Sequence, residues 1–367
     1  MRLPMRCARA TRCRCRGWGA SGWHAERRRG GIPPHRWGLG RSGVMNSRRR
    51  FLKQSAAALA WAGGGSLLAG LTDLDWPGGI RRAWAGDETV ITILHTNDVH
   101  SRIDPFPEGK GRNAGLGGAS RRATLVRRIR AQSPHTLLVD GGDVFQGTPY
   151  FNLYHGEVDF RVMSALGYTA MTIGNHEFDA GLDGLAAAAE HADFDLLSAN
   201  YDFRGTRLAD RVRPYTLREV GGYRVGLFGL GVALEGLVAA PLCRGVTYSD
   251  PVAAARRMTE LLRTEKRCDL VVCLSHLGNR GYAGHPGEQD VARQVSGIDL
   301  IVGGHSHTFM DEPTRVRHGS RETLVFQVGW AGINLGRVDF HMQRGEVREA
   351  RAAAIPLRLR EDEGAAA

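Results

Sequence analysis

Cysteine is scarce in this chain of 367 residues, which holds only six, and three of those lie within the first 15 positions. The remaining three, Cys243, Cys268 and Cys273, are an odd number and show no spacing to a neighbouring Cys or His that indicates a structural zinc site. Cys268 and Cys273 flank a short apolar stretch, which predicts that both are buried in the core. The sequence therefore offers no disulfide framework for residues 86–367.

Repeats, linkers and nucleotide-binding loops are also missing. No internal repeat is visible, and residues 88–360 contain no Pro- or Ser-rich linker, which predicts one folded domain there. The Gly-rich segment 115–118 lacks the Gly-Lys-Ser/Thr ending of a P-loop. With 42% hydrophobic and 24% charged residues, collagen-like, coiled-coil and wholly disordered chains are excluded.

The net charge of +11 is confined to one end of the chain. Residues 1–85 hold 17 Lys and Arg against three Asp and Glu, whereas residues 86–367 hold 32 against 35. The second part therefore has no electrostatic case for DNA or RNA, and we expect no stable nucleic-acid binding. Its Arg-rich segment 121–130 carries Leu125, Val126 and Ile129 at helical spacing, which predicts a helix with a solvated arginine face.

The N-terminal region has the features of an export signal. Residues 1–44 show no hydrophobic period, and we interpret them as an over-extended start before Met45 or, alternatively, as a disordered basic arm. Residues 47–53 resemble the twin-arginine motif, an uncharged stretch spans 54–72, and Ala83-Trp84-Ala85 is a small-x-small cleavage site. We expect the twin-arginine translocase to export the folded chain to the periplasm or beyond. An uncleaved signal would leave it membrane-anchored, although the apolar run is barely long enough to span a membrane.

Short apolar runs alternate with amphipathic stretches from residue 90 onward, which predicts an α/β fold with strand pairs closing its C-terminal end. We therefore expect one catalytic domain over 88–360 and a polar tail over 361–367. The predicted strands are 90–96, 136–139, 170–173, 196–199, 223–230, 270–275, 300–302, 324–328 and 337–340, and the predicted helices are 119–131, 158–166, 182–191, 251–266 and 288–295.

Asp, Asn and His residues follow almost every predicted strand. In α/β sheets ligands lie beyond the carboxyl ends of the strands, so these side chains should meet at one rim. Imidazoles and carboxylates without a thiolate suit Zn, Mn or Fe, and neighbouring glycines such as Gly174 and Gly304 let the backbone pass close to an ion. A lone His or an Asp-Gly-Gly turn is weak evidence, and only the set points to a metal site. The residues are Asp98, His100, Asp143, Asn175, His176, Asp179, His276, His305 and His307.

The order of these motifs, D-x-H, G-D-x-x-x-G, G-N-H-E and G-H-x-H, resembles the calcineurin-like metallophosphoesterase superfamily. Residues 94–100 and 175–179 are similar to the catalytic domain of periplasmic 5′-nucleotidases and related 2′,3′-cyclic phosphodiesterases. The resemblance extends from about residue 90 to residue 360. It implies a four-layer α-β-β-α sandwich.

The resemblance also implies two divalent metal ions and a catalytic histidine. Asp143 would bridge the ions, and His176, paired with Asp179, would stand beside them, although a purely structural role for this pair stays open. Position 307 departs mildly from the family, since some nucleotidases have Gln there. Zn or Mn would suit the donors best, with Co, Fe or Mg as alternatives. The first ion would be held by Asp98, His100 and His307, and the second by Asn175, His276 and His305.

The charges of such a site favour phosphate. Two divalent ions with the carboxylates of Asp98 and Asp143 leave a net +2, which attracts a phosphate dianion, and ions roughly 3.5–4 Å apart lower the pKa of a bridging water. The implied reaction is attack by metal-activated hydroxide on a nucleoside 5′-monophosphate. The alternatives are a phosphodiesterase, a nucleotide-sugar hydrolase or a thiosulfohydrolase-like enzyme, or a metal- or phosphate-binding module without turnover. The C-terminal substrate domain of two-domain nucleotidases is absent here, so a separately encoded domain is a further expected partner.

Overall fold

The computed structural model describes residues 88–282 and 284–358, all within one unit of the chain that spans 79–367. The predictions for the segments 1–44, 45–85 and 361–367 therefore lie outside the described residues. Among the residues it does describe, no helix combines the length and apolar character that crossing a membrane requires.

The secondary structure alternates between strands and helices through most of the chain. A 3₁₀ turn covers His176–Phe178, and a π-helical turn covers Leu261–Glu265. The helices are α1 (Ala119–Gln132), α2 (Pro149–Tyr154), α3 (Glu157–Leu166), α4 (Gly181–Ala189), α5 (Pro251–Glu260) and α6 (Glu288–Gln294). The strands are β1 (Thr89–Thr96), β2 (Thr136–Asp140), β3 (Ala170–Thr172), β4 (Asp195–Leu197), β5 (Tyr201–Asp202), β6 (Val212–Arg213), β7 (Tyr215–Val220), β8 (Tyr223–Gly231), β9 (Thr247–Tyr248), β10 (Leu270–His276), β11 (Leu300–Val302), β12 (Thr314–His318), β13 (Arg321–Phe326), β14 (Asn334–Gln343) and β15 (Glu346–Pro356).

Two sheets form the middle of the fold. The seven-stranded sheet has the order β15-β14-β1-β2-β3-β4-β6, and the six-stranded sheet has the order β12-β13-β11-β10-β8-β7. The central strands of both sheets run parallel. Antiparallel strands lie at both edges of the smaller sheet and at the β14–β15 edge of the larger one, whose other edge strand, β6, is parallel to β4. The carboxyl ends of the parallel strands in each sheet consequently share one edge, where the loops that carry the predicted site begin.

The core lies in three apolar layers. Ile91 and Ile93 of β1 meet Val272 and Leu274 of β10 between the two sheets, and all four are fully buried. The opposite faces pack against helices, α1, α3 and α4 on the larger sheet and α5 and α6 on the smaller. Because successive strand residues point to opposite faces, near-continuous apolar runs are needed here. The arrangement is the expected α-β-β-α sandwich, so that prediction is confirmed.

All nine predicted strands and all five predicted helices occur, with ends displaced by a few residues. The predicted helix 251–266 divides, because α5 ends at Glu260 and the π-helical turn follows. The edge strands β7, β12 and β15 were not predicted, since their charged residues mask any apolar alternation. The helix α2 was not predicted either, because its six residues are too few to show a helical period. The prediction of a solvated arginine face on α1 is wrong at one position. Arg122 is only 3% exposed and lies near the buried carboxyls of Asp140 and Asp159.

Candidate metal centre and active site

Four segments at the carboxyl ends of parallel strands bring six of the predicted residues together. Asp98 and His100 follow β1, Asp143 follows β2, His276 ends β10, and His305 and His307 follow β11. Nitrogen and oxygen atoms of these residues form two groups, and within each group the possible ligand atoms lie within 4.8 Å of one another. The groups are Asp98, His100 and His307, and Asp143, His276 and His305.

In the first group, two imidazole nitrogens point at each other. Nε2 of His100 lies 3.0 Å from Nε2 of His307, and the latter nitrogen lies 3.3 Å from Oδ1 of Asp98. Nδ1 of His100 donates to the carbonyl of Phe145 at 3.1 Å, so its Nε2 keeps a lone pair toward the group. Convergence of two imidazole nitrogens and a carboxylate oxygen is typical of ligands around a cation.

In the second group, a buried nitrogen has no aligned partner. Nε2 of His276 is 2.9 Å from Oδ2 of Asp143, yet it makes no aligned hydrogen bond within the described residues. Its Nδ1 donates to the carbonyl of Gly141 at 2.7 Å. Nδ1 of His305 lies 2.9 Å from Oδ1 of Asn175, which joins the predicted Asn175 to this group. A buried polar atom facing a carboxylate without a hydrogen bond fits a site shaped for a shared cation, so the donor set suits a divalent metal.

Five of the predicted ligands have left-handed backbone conformations. Such a conformation is uncommon outside glycine and costs about 1–2 kcal/mol per residue, although Asp and His tolerate it better than most. Backbone strain of this kind concentrates at functional sites, where it aims side chains that a regular strand end would direct elsewhere. The φ angles are 51° at Asp98, 51° at His100, 56° at Asp143, 70° at His305 and 50° at His307.

Two glycines let the loops approach closely enough to build the site. A Cβ on Gly174 would lie 2.3 Å from Oδ1 of Asp143. A Cβ on Gly304 would lie 2.8 Å from Nδ1 of His276 and 3.3 Å from Oδ2 of Asp98, so this glycine contacts both groups at once. The two groups therefore adjoin, and any larger residue at these positions would push the ligands apart.

The protonation states of the metal-free chain follow from burial and mutual charge. Burial opposes charge on His276, but the carboxylate of Asp143 outweighs it and raises the pKa of His276 to about 10. Burial would raise the pKa of Asp143, yet His276 and two further histidines hold it well below its usual range. Burial lowers the pKa of His305 to about 4 and lowers that of His100 as well, which leaves both imidazoles neutral near pH 7. Neutral imidazoles and an ionised carboxylate are the forms that bind metals, so a metal ion bound at His276 would displace the proton that this residue holds in the metal-free chain.

His176 and Asp179 form a pair beside the first group. Nδ1 of His176 is 2.8 Å from Oδ2 of Asp179, and the imidazole lies 5.2 Å from that of His100, measured between ring centres. Burial opposes its protonation, but Asp143 and Asp179 together raise the pKa of His176. About a third of the His176 side chain is exposed, so it can reach a bound molecule.

A groove of about 660 Å³ opens next to this pair. Asp179 lines it together with Phe151 and Tyr154 of helix α2 and with Leu242. Its wall combines apolar and aromatic side chains with polar ones, including Glu157, Glu190 and His191, which suits a small organic molecule that carries polar groups.

Glu177 is a site residue whose role was not predicted. It is fully buried, and its carboxylate accepts hydrogen bonds from the backbone N–H groups of Asp143, Val144 and Gly174 at 3.0, 2.8 and 2.6 Å. It therefore fixes the loop of one ligand to the loop that carries Asn175 and His176. Its place within the motif Asn175-His176-Glu177 was visible, but the sequence does not indicate which backbone groups it binds.

Glu288 and Gln327 hold the loop that carries His305 and His307, and neither was predicted. Both are buried, and Nε2 of Gln327 donates to Oε2 of Glu288 at 2.8 Å and to the carbonyl of Gly304 at 2.7 Å. Oε1 of Gln327 accepts from the backbone N–H of Thr308 at 2.9 Å. Since these residues lie outside any motif, no sequence signal marks them.

Comparison with known proteins identifies the family. The family model for calcineurin-like phosphoesterase matches residues 91–309, so the chain belongs to the calcineurin-like phosphoesterases. Members of this class use divalent metals, which agrees with the two ligand groups. The resemblance read from the sequence motifs is thereby confirmed.

Individual relatives point to nucleotide phosphoesterases. The chain is 31% identical over 281 residues to the trifunctional nucleotide phosphoesterase protein YfkN of Bacillus subtilis, covering 68% of this chain and 18% of that protein. It is 32% identical over 304 residues to the 5′-nucleotidase of Vibrio cholerae, covering 76% and 53%. The crystal structure of a 5′-nucleotidase precursor from Thermus thermophilus superposes with a TM-score of 0.65 at 34% identity, covering 73% and 54%. The chain thus spans only about half or less of the length of these relatives.

Proposed function

We propose that this chain is an exported phosphoesterase that binds two divalent metal ions and hydrolyses nucleoside 5′-monophosphates to nucleoside and phosphate. The observation that carries the proposal is the pair of adjoining ligand groups with His176 and Asp179 beside them. The names of the relatives, nucleotide phosphoesterase and 5′-nucleotidase, support the choice of substrate class.

Each residue of the site has a role that follows from its position. Two divalent ions bound there would supply positive charge that draws in a phosphate dianion and acidifies a water for attack on phosphorus. Asp143 belongs to one group and interacts electrostatically with the imidazole of His100 in the other, which supports a role for its carboxylate in holding both ions. His176, oriented at Nδ1 by Asp179, keeps Nε2 available to hold a phosphate oxygen or to donate a proton to the departing alkoxide.

The organic part of the ester would lie in the groove beside Asp179, where Phe151 and Tyr154 offer aromatic surface. Two further parts of the proposal rest on the sequence alone. The twin-arginine motif and cleavage site in residues 45–85 support export, and a separate substrate-binding domain would account for the unmatched half of the relatives.

Hydrolysis by the metal-stripped and reconstituted chain tests the proposal. Mn, Zn, Co or Mg is added back, and the substrates are AMP, a 2′,3′-cyclic nucleotide, a nucleotide sugar, and aryl phosphate mono- and diesters. We expect metal-dependent turnover with AMP as the preferred substrate. Asp143→Asn and His176→Ala should each lower kcat by about 10²-fold or more, whereas Asp183→Asn, on the exposed surface of α4, should leave it unchanged.

Other outcomes select other functions for the same site. Preference for the diester or the nucleotide sugar would make the chain a phosphodiesterase or pyrophosphate hydrolase. Two bound ions without turnover of any phosphate ester or sulfur ester would indicate a binding module. Cleavage of a sulfur ester but of no phosphate ester would indicate a thiosulfohydrolase. Co-purification from the host tests for the separate domain, and full activity of the lone chain would count against it.

A further inference from the structure

His307 differs from the other histidines of the two groups in how its ring is held. Nδ1 of His100 and Nδ1 of His276 each donate to a backbone carbonyl, and His305 contacts Asn175. Nδ1 of His307 has no hydrogen-bond partner among the residues that the structure describes, and 39% of its side chain is exposed. A ligand histidine usually has its second nitrogen anchored, because the anchor fixes the ring orientation and the tautomer.

A tryptophan stacks on the His307 ring and restrains it in place of a hydrogen bond to Nδ1. The indole of Trp330 stacks on the His307 imidazole with ring centres 5.7 Å apart and planes 5° apart. Both the distance and the angle lie in the range of a favourable offset stack. The stack restricts rotation of the imidazole about its side-chain torsions while leaving Nε2 directed at His100 and Asp98.

The indole is itself held rigidly against the same loop. The backbone N–H of Ala331 donates to the carbonyl of Asp98 at 2.7 Å, and Nδ2 of Asn97 donates to the carbonyl of Gly329 at 2.6 Å. Both neighbours of Trp330 are thus attached to the loop that supplies Asp98. On its far edge the indole meets Phe106, with ring centres 5.9 Å apart and planes 72° apart.

We infer that Trp330 is a positioning residue for His307 and thereby sets the affinity of the first metal site. The inference rests on the proposed function, because it takes the first group to be a metal site. The second site contains none of the residues that Trp330 contacts, so its affinity should be independent of the indole. A residue that anchors a ligand typically changes metal affinity by about 10–100-fold when it is lost.

Metal binding by the full chain, measured by equilibrium dialysis against Mn²⁺ with elemental analysis, tests the inference. We expect Trp330→Ala to bind one ion with wild-type affinity and the other at least about 10-fold more weakly. Trp330→Phe keeps a flat ring and should recover most of the affinity. His307→Ala, which removes the ligand itself, sets the maximum loss. Thermal unfolding of each metal-free variant checks that the fold is retained.

Kinetics separate positioning from a general structural defect. At limiting Mn²⁺ Trp330→Ala should have low activity, and at saturating Mn²⁺ its kcat should return to within about twofold of wild type. Two ions bound by Trp330→Ala with unchanged affinities would overturn the inference and leave the proposed function intact. A wild-type chain that binds fewer than two ions would overturn both.

Fluorescence gives a reading that does not depend on activity or on the alanine variant. The other six tryptophans lie within residues 1–84, so the difference between wild-type and Trp330→Phe emission isolates Trp330. We expect Co²⁺, which is paramagnetic, to quench this difference signal once both sites are filled, and the quenching to disappear in His307→Ala. An unquenched Trp330 in a chain that binds Co²⁺ would contradict the inference.

Discussion

The carboxylate of Glu177 accepts the backbone N–H of Asp143, with Oε2 3.0 Å from the nitrogen. The same oxygen accepts the N–H of Gly174 at 2.6 Å, so one buried side chain ties together two loops that carry ligand-group residues. The left-handed conformation of Asp143 is thus maintained by a partner 34 residues away in the chain.

Replacing Glu177 should therefore lower both the affinity of the site for metal and the stability of the fold. In Glu177→Gln an amide NH₂ group faces backbone donors and cannot accept from them, which leaves at least one N–H unsatisfied. We expect the free energy of unfolding to fall by about 1–3 kcal/mol, with weaker metal binding. Urea unfolding and equilibrium dialysis measure the two effects, and the exposed Glu235→Gln is the matched control. Unchanged metal affinity in Glu177→Gln would contradict this role.

Gln327→Ala should lower the affinity of the chain for both metal ions. The amide of Gln327 binds Gly304 and Thr308, and the loop between them carries one histidine of each ligand group. We expect both affinities to fall by about 10-fold or more, in contrast to the selective loss expected for Trp330→Ala. Equilibrium dialysis distinguishes the two patterns, with Gln132→Ala at the exposed end of α1 as the control. Loss of only one ion would mean that the two histidines are positioned independently.

The leaving group should decide how much His176 contributes. If its Nε2 protonates a departing alkoxide, His176→Ala should lower kcat for AMP by about 10²–10⁴-fold. The loss should be much smaller for p-nitrophenyl phosphate, because that leaving group departs without a proton. Asp179 orients His176 through the 2.8 Å contact between Oδ2 and Nδ1. Asp179→Asn weakens this contact and should show the same trend with a smaller loss of kcat. Equal losses for both substrates would assign His176 to phosphate binding instead.

His95 should make the fold sensitive to acid. It is fully buried, neither ring nitrogen has a partner within the described residues, and burial lowers its pKa from 6.5 to about 3. Below pH 6.5 the unfolded chain therefore binds a proton that the folded chain excludes. The free energy of unfolding should fall by about 1.4 kcal/mol per pH unit from this group as pH decreases from 6.5 toward 3.

His95→Leu removes that contribution and tests it. The variant should lose less stability than wild type between pH 7 and pH 5, as measured by urea unfolding of the metal-free chain. The ligand histidines titrate in both proteins, so their effect cancels in the comparison. His155→Leu, on the exposed surface, is the matched control. Parallel pH profiles for wild type and His95→Leu would show that the folded chain accommodates the proton.

The layers and the positions of the candidate ligands at the sheet edge could be predicted from the sequence, because both depend on local pattern. The strands with apolar runs, such as β1 and β10, are buried on both faces, and a polar residue directly after such a strand must lie at the sheet edge. The residues of both ligand groups, together with Asn175 and His176, lie at these ends or in the loops that follow them.

The residues that support the ligands could not be predicted, because their partners are distant in the chain. Gln327 acts on Gly304, 23 residues earlier, and Glu288 acts on the same loop from helix α6. Arg122 looks like the half-buried Arg121 and the exposed Arg127 in the sequence, and only the packing of α1 near Asp140 reveals its burial. Such pairings depend on which loops meet in space.

The position of β1 governs when this domain can finish folding. Although β1 is the first described strand, it lies in the interior of its sheet, and Thr89 pairs with Met342 of β14. A ribosome must therefore complete β14 before the strand that precedes Asp98 acquires both neighbours, and contacts of such wide sequence separation form slowly. During synthesis the edge of β1 stays open and prone to pair wrongly with other chains. Metal loading at Asp98 and His100 would therefore follow chain completion, and a nascent chain held before residue 334 would contain every predicted ligand residue without a working centre.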